Sequence, residues 1–289
     1  PSRSFPHSVY RAAAQTLLDA IPRGPGFVLL TGAAGTGKTT LVQDLAERLG
    51  HQGYCVGRVA SSRVDTEDLL RLASFAFGVP ADVVPRERLL PALAQRLRSL
   101  CPAGKPAVLV VDEAQDLAPG VLPELCRLMD LPGDAVPPVQ IWLAGRDQVW
   151  ALLDRPDHAP VRERILAKPR LYPLSLEETR SYIAHSLETS GWQGDPAISA
   201  QALRLAHART HGVPRLISLT LGHLLLHARR FGALVLESQD LETVLSQLGM
   251  DHPELLDEPP GSADSADRVP ESPSSALDVQ RLPARGGLV

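Results

Sequence analysis

The chain has 289 residues, of which 44% are hydrophobic and only 4% aromatic, an ordinary composition for one large or two modest globular domains. Its formal net charge of −4 at pH 7 excludes a global electrostatic attraction to nucleic acid or to an anionic membrane, although local basic patches remain compatible with it.

The compartment is indicated by three features of the sequence. No apolar run approaches the roughly 20 residues that span a bilayer, and residues 1–5 lack the apolar core of a signal peptide. Cys55, Cys101 and Cys126 lie far apart without C-x-x-C spacing, which predicts buried free thiols in a reducing compartment. We therefore expect a cytoplasmic protein.

The most informative motif is a complete phosphate-binding loop of the pattern G-x-x-x-x-G-K-[ST], here called the P-loop. It consists of Gly32, Ala33, Ala34, Gly35, Thr36, Gly37, Lys38 and Thr39. An apolar run at 27–31 precedes it and a helix-like stretch at 41–46 follows it, as nucleotide binding requires. Glycines allow backbone N–H groups to surround a β-phosphate, and the helix N-terminus adds its positive dipole end. Lys38 would reach the β- and γ-phosphates, and Thr39 would bind Mg²⁺.

Strand-like runs alternate with helix-like stretches as far as Leu174, which predicts an α/β domain with a parallel sheet. The predicted strands are 27–31, 54–59, 107–111, 139–144 and 169–174, the last at the sheet edge, where proline is tolerated. The predicted helices that follow the P-loop helix are near 66–77, 86–100 and 122–129.

Two carboxylates end the third predicted strand. A side chain at the carboxyl end of a parallel strand lies in the ligand crevice, beside the P-loop. Asp112 is therefore predicted to orient Mg²⁺ through its water shell, and Glu113 to polarise the attacking water. Two solvated acids in a helix cap are the alternative, but the P-loop upstream favours hydrolysis of a nucleoside triphosphate.

From Ser175 onward the pattern is wholly helical. Ser175 and Glu178 have the spacing of a capping box, and further helices are predicted at 198–209, 214–229 and 238–248. We expect a small all-helical lid at 175–250 after an α/β domain at 1–174. Residues 251–289 are rich in Pro, Ser, Asp and Gly, which predicts a disordered tail or linker.

Arginines at two places are candidates for contact with phosphate. The stretch VRERI at 161–165 lies between the fourth and fifth strands, where an arginine could reach the γ-phosphate of a neighbouring subunit; a solvated helix face is equally compatible. Arg215 follows Pro214 in the first turn of a helix, where the dipole disfavours a cation, so a contact with nucleotide is favoured. Two histidine pairs at helical spacing lack a third ligand, and we expect no metal other than Mg²⁺.

Five stretches in this order resemble the AAA+ ATPases of the ExeA type, the general secretion pathway protein A family: GAAGTGKTT, VLVVDEAQDL, VRERI, LYPLSLEETRSYIAHSLE and GVPRLIS. That family overlaps in sequence with transposition ATPases of the TniB/TnsC type. The resemblance covers roughly residues 10–249 and implies an AAA+ fold that uses ATP and Mg²⁺. After the fourth strand the family often has GQPEL, whereas this chain has GRDQV at 145–149.

The resemblance also assigns roles to residues of this chain. Lys38 and Thr39 are Walker A, Asp112 and Glu113 are Walker B, Arg164 is the arginine finger and Arg215 is sensor 2. The nucleotide-binding residues are Gly32, Ala33, Ala34, Gly35, Thr36, Gly37, Lys38, Thr39, Thr40 and Arg215, and those for Mg²⁺ are Thr39 and Asp112.

Two functions follow as alternatives. The first is a homo-oligomeric ATPase that remodels or assembles a protein partner of a secretion or pilus system. The second is a switch that assembles on duplex DNA with ATP and recruits a transposase, for which a basic stripe is needed. The candidates for that stripe do not cluster in the sequence: Arg58, Arg63, Arg71, Arg86, Arg88 and Lys105. Net acidity favours the first function, and the intact Glu113 disfavours a scaffold without turnover.

Overall fold

A parallel sheet forms the centre of the protein, seen in a computed structural model that describes residues 5–60, 66–101, 105–131, 137–192 and 196–249. Its strands are β1 (Gly26–Gly32), β2 (Cys55–Ala60), β3 (Ala107–Asp112), β4 (Val139–Gly145), β5 (Ile165–Ala167) and β6 (Arg170–Leu171). Their order is β2-β3-β4-β1-β5, with β6 also paired to β1, and every pairing is parallel. The predicted parallel α/β sheet is confirmed, and β4 separates the P-loop strand from the strand that carries Asp112.

Helices cover both faces of this sheet, so the side chains on both sides of its central strands are buried. Along β1, Phe27 and Leu29 pack into one apolar cluster while Val28 and Leu30 pack into the other. The first cluster includes residues of α3 to α7 and the second includes residues of α1 and α2. These helices are α1 (Ser8–Ala20), α2 (Lys38–His51), α3 (Thr66–Ala76), α4 (Arg86–Leu100), α5 (Val121–Met129), α6 (Val149–Leu153) and α7 (Ala159–Glu163).

The predicted strand at 169–174 is wrong in extent. Only Arg170–Leu171 is a strand there. A second short strand, Ile165–Ala167, precedes it in the stretch between the fourth and fifth predicted strands. The register shifts beside β1 between Phe27 and Val28. Proline explains the short strands, since Pro169 can accept a ladder hydrogen bond, from Thr31 N at 3.0 Å, but cannot donate one.

Four further helices follow, and the predicted capping box is present at the start of the first. They are α8 (Leu176–Thr189), α9 (Ala200–Thr210), α10 (Pro214–Phe231) and α11 (Ser238–Gln247). A pair of two-residue parallel strands, β7 (Ala197–Ile198) and β8 (Val235–Leu236), lies among them. Their apolar residues form clusters separate from those of the sheet, although the boundary between 174 and 175 stays a prediction.

Other expectations meet the structure only in part. Cys55, Cys101 and Cys126 are free, as predicted, but half-buried rather than buried. No helix in the described part of the chain is both long and apolar enough to cross a membrane. The tail predicted at 251–289 and Arg63 lie outside the described residues.

A buried glutamine joins β4 to the segment that follows α1. The Gln140 amide donates from Nε2 to Ala20 O at 2.8 Å and to Gly24 O at 3.0 Å, and its Oε1 accepts from Trp142 Nε1 at 2.9 Å. Gln140 and Trp142 are fully buried, so the hydrogen bonds of the amide and of the indole N–H form away from water.

We expect Gln140→Leu to lower the free energy of unfolding by about 3 kcal/mol, because leucine cannot form the hydrogen bonds that the Gln140 amide makes with its polar partners. Urea denaturation followed by circular dichroism measures this change. The control is Gln201→Leu, at an exposed position of α9, which should leave stability almost unchanged. Equal stability of the two variants would contradict the structural role of Gln140.

Candidate functional site

The P-loop connects β1 to α2 through glycines with positive φ. Gly35 has φ 79° and Gly37 has φ 98°, conformations in the left-handed region that side chains disfavour. Thr36 closes the turn by donating its hydroxyl to Ala33 O at 2.9 Å. The loop therefore has the curled backbone that can present several N–H groups to one anion.

Lys38 lies beneath this loop at the start of α2. Its residue is only 7% exposed, and its Nζ donates to Gly32 O at 2.8 Å and to Ala33 O at 2.9 Å. Burial lowers the pKa of Lys38, while the carboxylates of Glu113 and Asp112 raise it in part. The ammonium group is thus held inside the loop and interacts with both carboxylates. The two residues that follow it in α2, Thr39 and Thr40, are exposed.

The two carboxylates follow the end of β3. Asp112 is half-buried and accepts a hydrogen bond at Oδ1 from Glu113 N, at 2.9 Å. Glu113 is exposed and has φ 54°, a left-handed conformation that costs a non-glycine residue about 1–2 kcal/mol. Backbone strain of this kind is concentrated at functional sites, and here it ends the strand beside the P-loop crevice.

The start of α10 packs directly on the P-loop. Arg215 N donates to Gly35 O at 3.2 Å. A Cβ atom on Gly35 would lie 2.9 Å from both Arg215 Cβ and Val213 Cγ1, so only glycine permits this approach. The structure therefore brings Arg215 to the P-loop, and its contact with nucleotide stays a prediction.

Comparison with known proteins agrees with this geometry. Residues 21–153 match the family model of an AAA domain. Over 206 residues the chain is 34% identical to general secretion pathway protein A of Aeromonas hydrophila, covering 71% of this chain and 37% of that protein. The predicted resemblance to the ExeA-type AAA+ ATPases is confirmed. The chain spans little more than a third of the length of that relative.

Solved structures share the AAA+ fold. ORC2 of Aeropyrum pernix, in ADPNP-ADP complexes, has a TM-score of 0.64 at 18% identity, covering 86% of this chain and 68% of its own. The RuvB Holliday junction branch migration motor of Thermotoga maritima has a TM-score of 0.59 at 19% identity, covering 84% and 69% respectively. At such identities the likeness shows the fold alone.

Arg164 lies far from the P-loop of its own AAA+ domain. Its carbonyl oxygen accepts from Phe27 N at 2.9 Å, near the amino end of β1, whereas the P-loop follows the carboxyl end. The strand between them spans about 17 Å at the usual rise per residue. The guanidinium group contacts both carboxylate oxygens of Asp130, at 2.9 and 2.8 Å. The structure thus separates Arg164 from the other predicted site residues.

The other arginine of the VRERI stretch is held within the chain. Arg162 donates from Nη1 to the carbonyl oxygens of Leu153 and Arg155. Arg162 is thus held by backbone carbonyl groups, whereas Arg164 pairs with a side chain, Asp130, and leaves 41% of its own side chain exposed.

Residues after β4 belong to the site but received no firm role from the sequence. Arg146 and Asp147 lie close enough to Lys38 that the first lowers its pKa and the second raises it. Asp147 also pairs with Arg170 Nη2 at 2.7 Å. They lie between the P-loop and β3 because β4 lies between β1 and β3 in the sheet. The alternation of strands and helices along the sequence does not predict this order.

The donor set fits Mg·ATP. The P-loop supplies a curled backbone with positive φ at Gly35 and Gly37, and Lys38 supplies a cation inside it. Mg²⁺ prefers oxygen ligands and is often bound by one or two carboxylates together with phosphate, which suits the hydroxyl of Thr39 and the carboxylate of Asp112. The individual roles stay predictions.

We expect Gly35→Ala to weaken binding of ATP by about tenfold or more, because alanine disfavours φ 79° and its Cβ would collide with Arg215 and Val213. Titration with a fluorescent ATP analogue measures the affinity. Gly50→Ala is the matched control, since that glycine lies in α2 with open space around it, and it should bind normally. Normal binding by both variants would contradict the close packing of α10 on the P-loop.

Proposed function

We propose that the protein hydrolyses ATP with Mg²⁺ at the P-loop. Support comes above all from one observation: the buried ammonium group of Lys38 lies inside the P-loop and interacts with Glu113 and Asp112. Mg·ATP, when bound, supplies the phosphoryl group that is transferred to water. A cation, a backbone cradle and two carboxylates at one place are what phosphoryl transfer requires of a protein.

Each residue has a separate role in this proposal. Lys38 exchanges its contacts with the loop carbonyls for phosphate oxygens, and Thr39 and Asp112 hold Mg²⁺. Glu113 orients the water and accepts its proton. Arg215 contacts the nucleotide from the lid, so that its packing against Gly35 transmits the state of the site to α10.

We further propose that the protein acts as a homo-oligomer in which Arg164 serves the neighbouring site. Arg164 is surface-accessible, with 41% of its side chain exposed, and it lies at the end of β1 opposite its own P-loop. An arginine supplied in trans stabilises the charge of the transition state. In the isolated chain Asp130 holds the guanidinium group, and a neighbouring γ-phosphate would compete with it.

The partner proposed first is a protein of a secretion or pilus system, which this ATPase remodels or assembles in the cytoplasm. The name of the Aeromonas hydrophila relative supports this role. Duplex DNA with a transposase remains the alternative, and ORC1 of Aeropyrum pernix, a relative in fold, was solved in complex with DNA. Two of the candidate basic side chains are engaged within the chain, since Arg71 donates to Ala81 O and Lys105 to Gln52 O.

We expect the purified protein to hydrolyse ATP and Glu113→Gln to reduce kcat by about 100-fold or more, because the variant loses the group that accepts a proton from water. Binding of a fluorescent ATP analogue should persist in that variant, whereas Lys38→Ala should lose it. Phosphate release measures turnover. Glu47→Gln, the same change at an exposed position of α2, is the control. Unchanged turnover in Glu113→Gln would refute the assigned role.

The same assay with duplex DNA separates the two partner classes. Stimulation that fades between low and moderate salt would identify contacts with phosphate and would favour the transposition switch. Turnover that is indifferent to DNA at both salt concentrations would support a protein partner.

We expect Arg164→Ala to reduce turnover by about 100-fold or more while ATP binding persists. Mixing Arg164→Ala with Glu113→Gln should restore turnover above the sum of the two, because one variant retains an intact site and the other an intact arginine. Arg127→Ala, which removes an exposed arginine of α5, is the matched control and should behave as wild type. Failure of the mixture to recover, with each variant inactive alone, would argue against action in trans.

A further inference from the structure

We propose that Gln115 is a positioning residue for hydrolysis: its side-chain amide holds the Glu113 carboxylate and ties it to the loop after β4. This inference rests on the proposed ATPase function and adds a residue to that site. It depends on contacts between three segments, which are the end of β3, the turn that follows it, and the end of β4.

The contacts of Gln115 connect both sides of the crevice. Its Nε2 donates to Glu113 Oε2 at 2.7 Å and to Asp116 Oδ2 at 3.2 Å. Its Oε1 accepts from Arg146 N at 2.9 Å. A single 3₁₀ turn, Ala114–Asp116, places the side chain so that it can reach back to Glu113 and across to β4.

The chemistry of the amide fixes its orientation. The backbone N–H of Arg146 can only donate, so the oxygen of Gln115 must face β4 and the amino group must face the carboxylates. Only glutamine and asparagine carry an NH₂ donor and a C=O acceptor on one planar group, and asparagine is one methylene shorter. A glutamate at 115 would keep the contact with Arg146 but would place a second carboxylate against Glu113.

Gly145 leaves room for this bridge. A Cβ atom at position 145 would lie 2.9 Å from Gln115 Oε1, 3.2 Å from Gln115 N and 3.3 Å from Ala114 N. Contacts of that length require the amide to move. The last residue of β4 thus has no side chain at the point where Gln115 crosses to it, and a methyl group there is a second, independent way to displace the amide.

The bridge acts on an exposed residue, and the hydrogen bond from Gln115 limits the rotamers that the Glu113 carboxylate adopts. General-base catalysis requires the carboxylate to stay within hydrogen-bond reach of the water. Gln115 restricts it and couples it to the loop that carries Arg146 and Asp147, both of which act on Lys38. Movement of that loop on nucleotide binding would therefore move Glu113.

The test compares Gln115→Glu and Gln115→Ala with the wild type in steady-state ATP hydrolysis. For both variants we expect kcat to fall by about tenfold or more while KM and the affinity for a fluorescent ATP analogue change by less than about threefold.

The matched control is Gln201→Glu, the same change at an exposed position of α9, which should keep the wild-type kcat. Gly145→Ala should reproduce the loss of kcat without loss of ATP binding, and thermal unfolding shows which variants are folded. Wild-type kcat in folded Gln115→Glu and Gln115→Ala would overturn this inference and leave the ATPase intact. A wild-type protein that binds ATP without hydrolysing it would overturn both.

Discussion

The parallel alignment of β1, β4 and β3 is the constraint on which the site depends. Because Thr31 pairs with Gly145 and Val111 pairs with Leu143, the three strands end at nearly the same level. Their carboxyl ends carry, in spatial order, the P-loop, the Arg146 loop and the two carboxylates. The site therefore has three parts rather than two. The middle part follows β4, which comes last of these three strands in the sequence. Loss of register in β4 alone would separate Lys38 from Glu113.

Electrostatics inside this crevice follow from that arrangement. Lys38 is removed from water, which opposes its charge, and the carboxylates of Glu113 and Asp112 offset part of this cost. Arg146 acts in the opposite direction to the carboxylates, and Asp147 partly compensates for it. A polyanion at the P-loop would attract both Lys38 and Arg146. The two cations repel each other in the isolated chain, but both would stabilise such a ligand.

Much of the fold could be predicted from sequence because local patterns determine it. The P-loop, the continuous apolar strands and the capping box of Ser175 and Glu178 are each contained in a few neighbouring residues. The short helices α6 and α7 have five residues each, too few for a helical period to appear. Strand order and the bridge made by Gln115 depend on contacts between distant segments, so a sequence without tertiary information does not contain them. The sequence shows that Arg146 departs from the GQPEL pattern of the family. Only the folded structure shows that Arg146 lies near Lys38.

The helices that follow Ser175 contact the rest of the described chain at more places than the P-loop. Leu174 N donates to Gly212 O at 2.8 Å, which joins the end of the sheet domain to the loop before α10. Ser8 Oγ donates to Glu178 Oε1 at 2.6 Å, so the carboxylate of the α8 capping box also binds the start of α1. The hydroxyl of Ser8 is the largest influence that lowers the pKa of Glu178, and the carboxylate keeps this contact in its ionised form at neutral pH. This hydrogen bond ties α8 to α1. A movement of α8 relative to the sheet would consequently either carry α1 with it or break this bond.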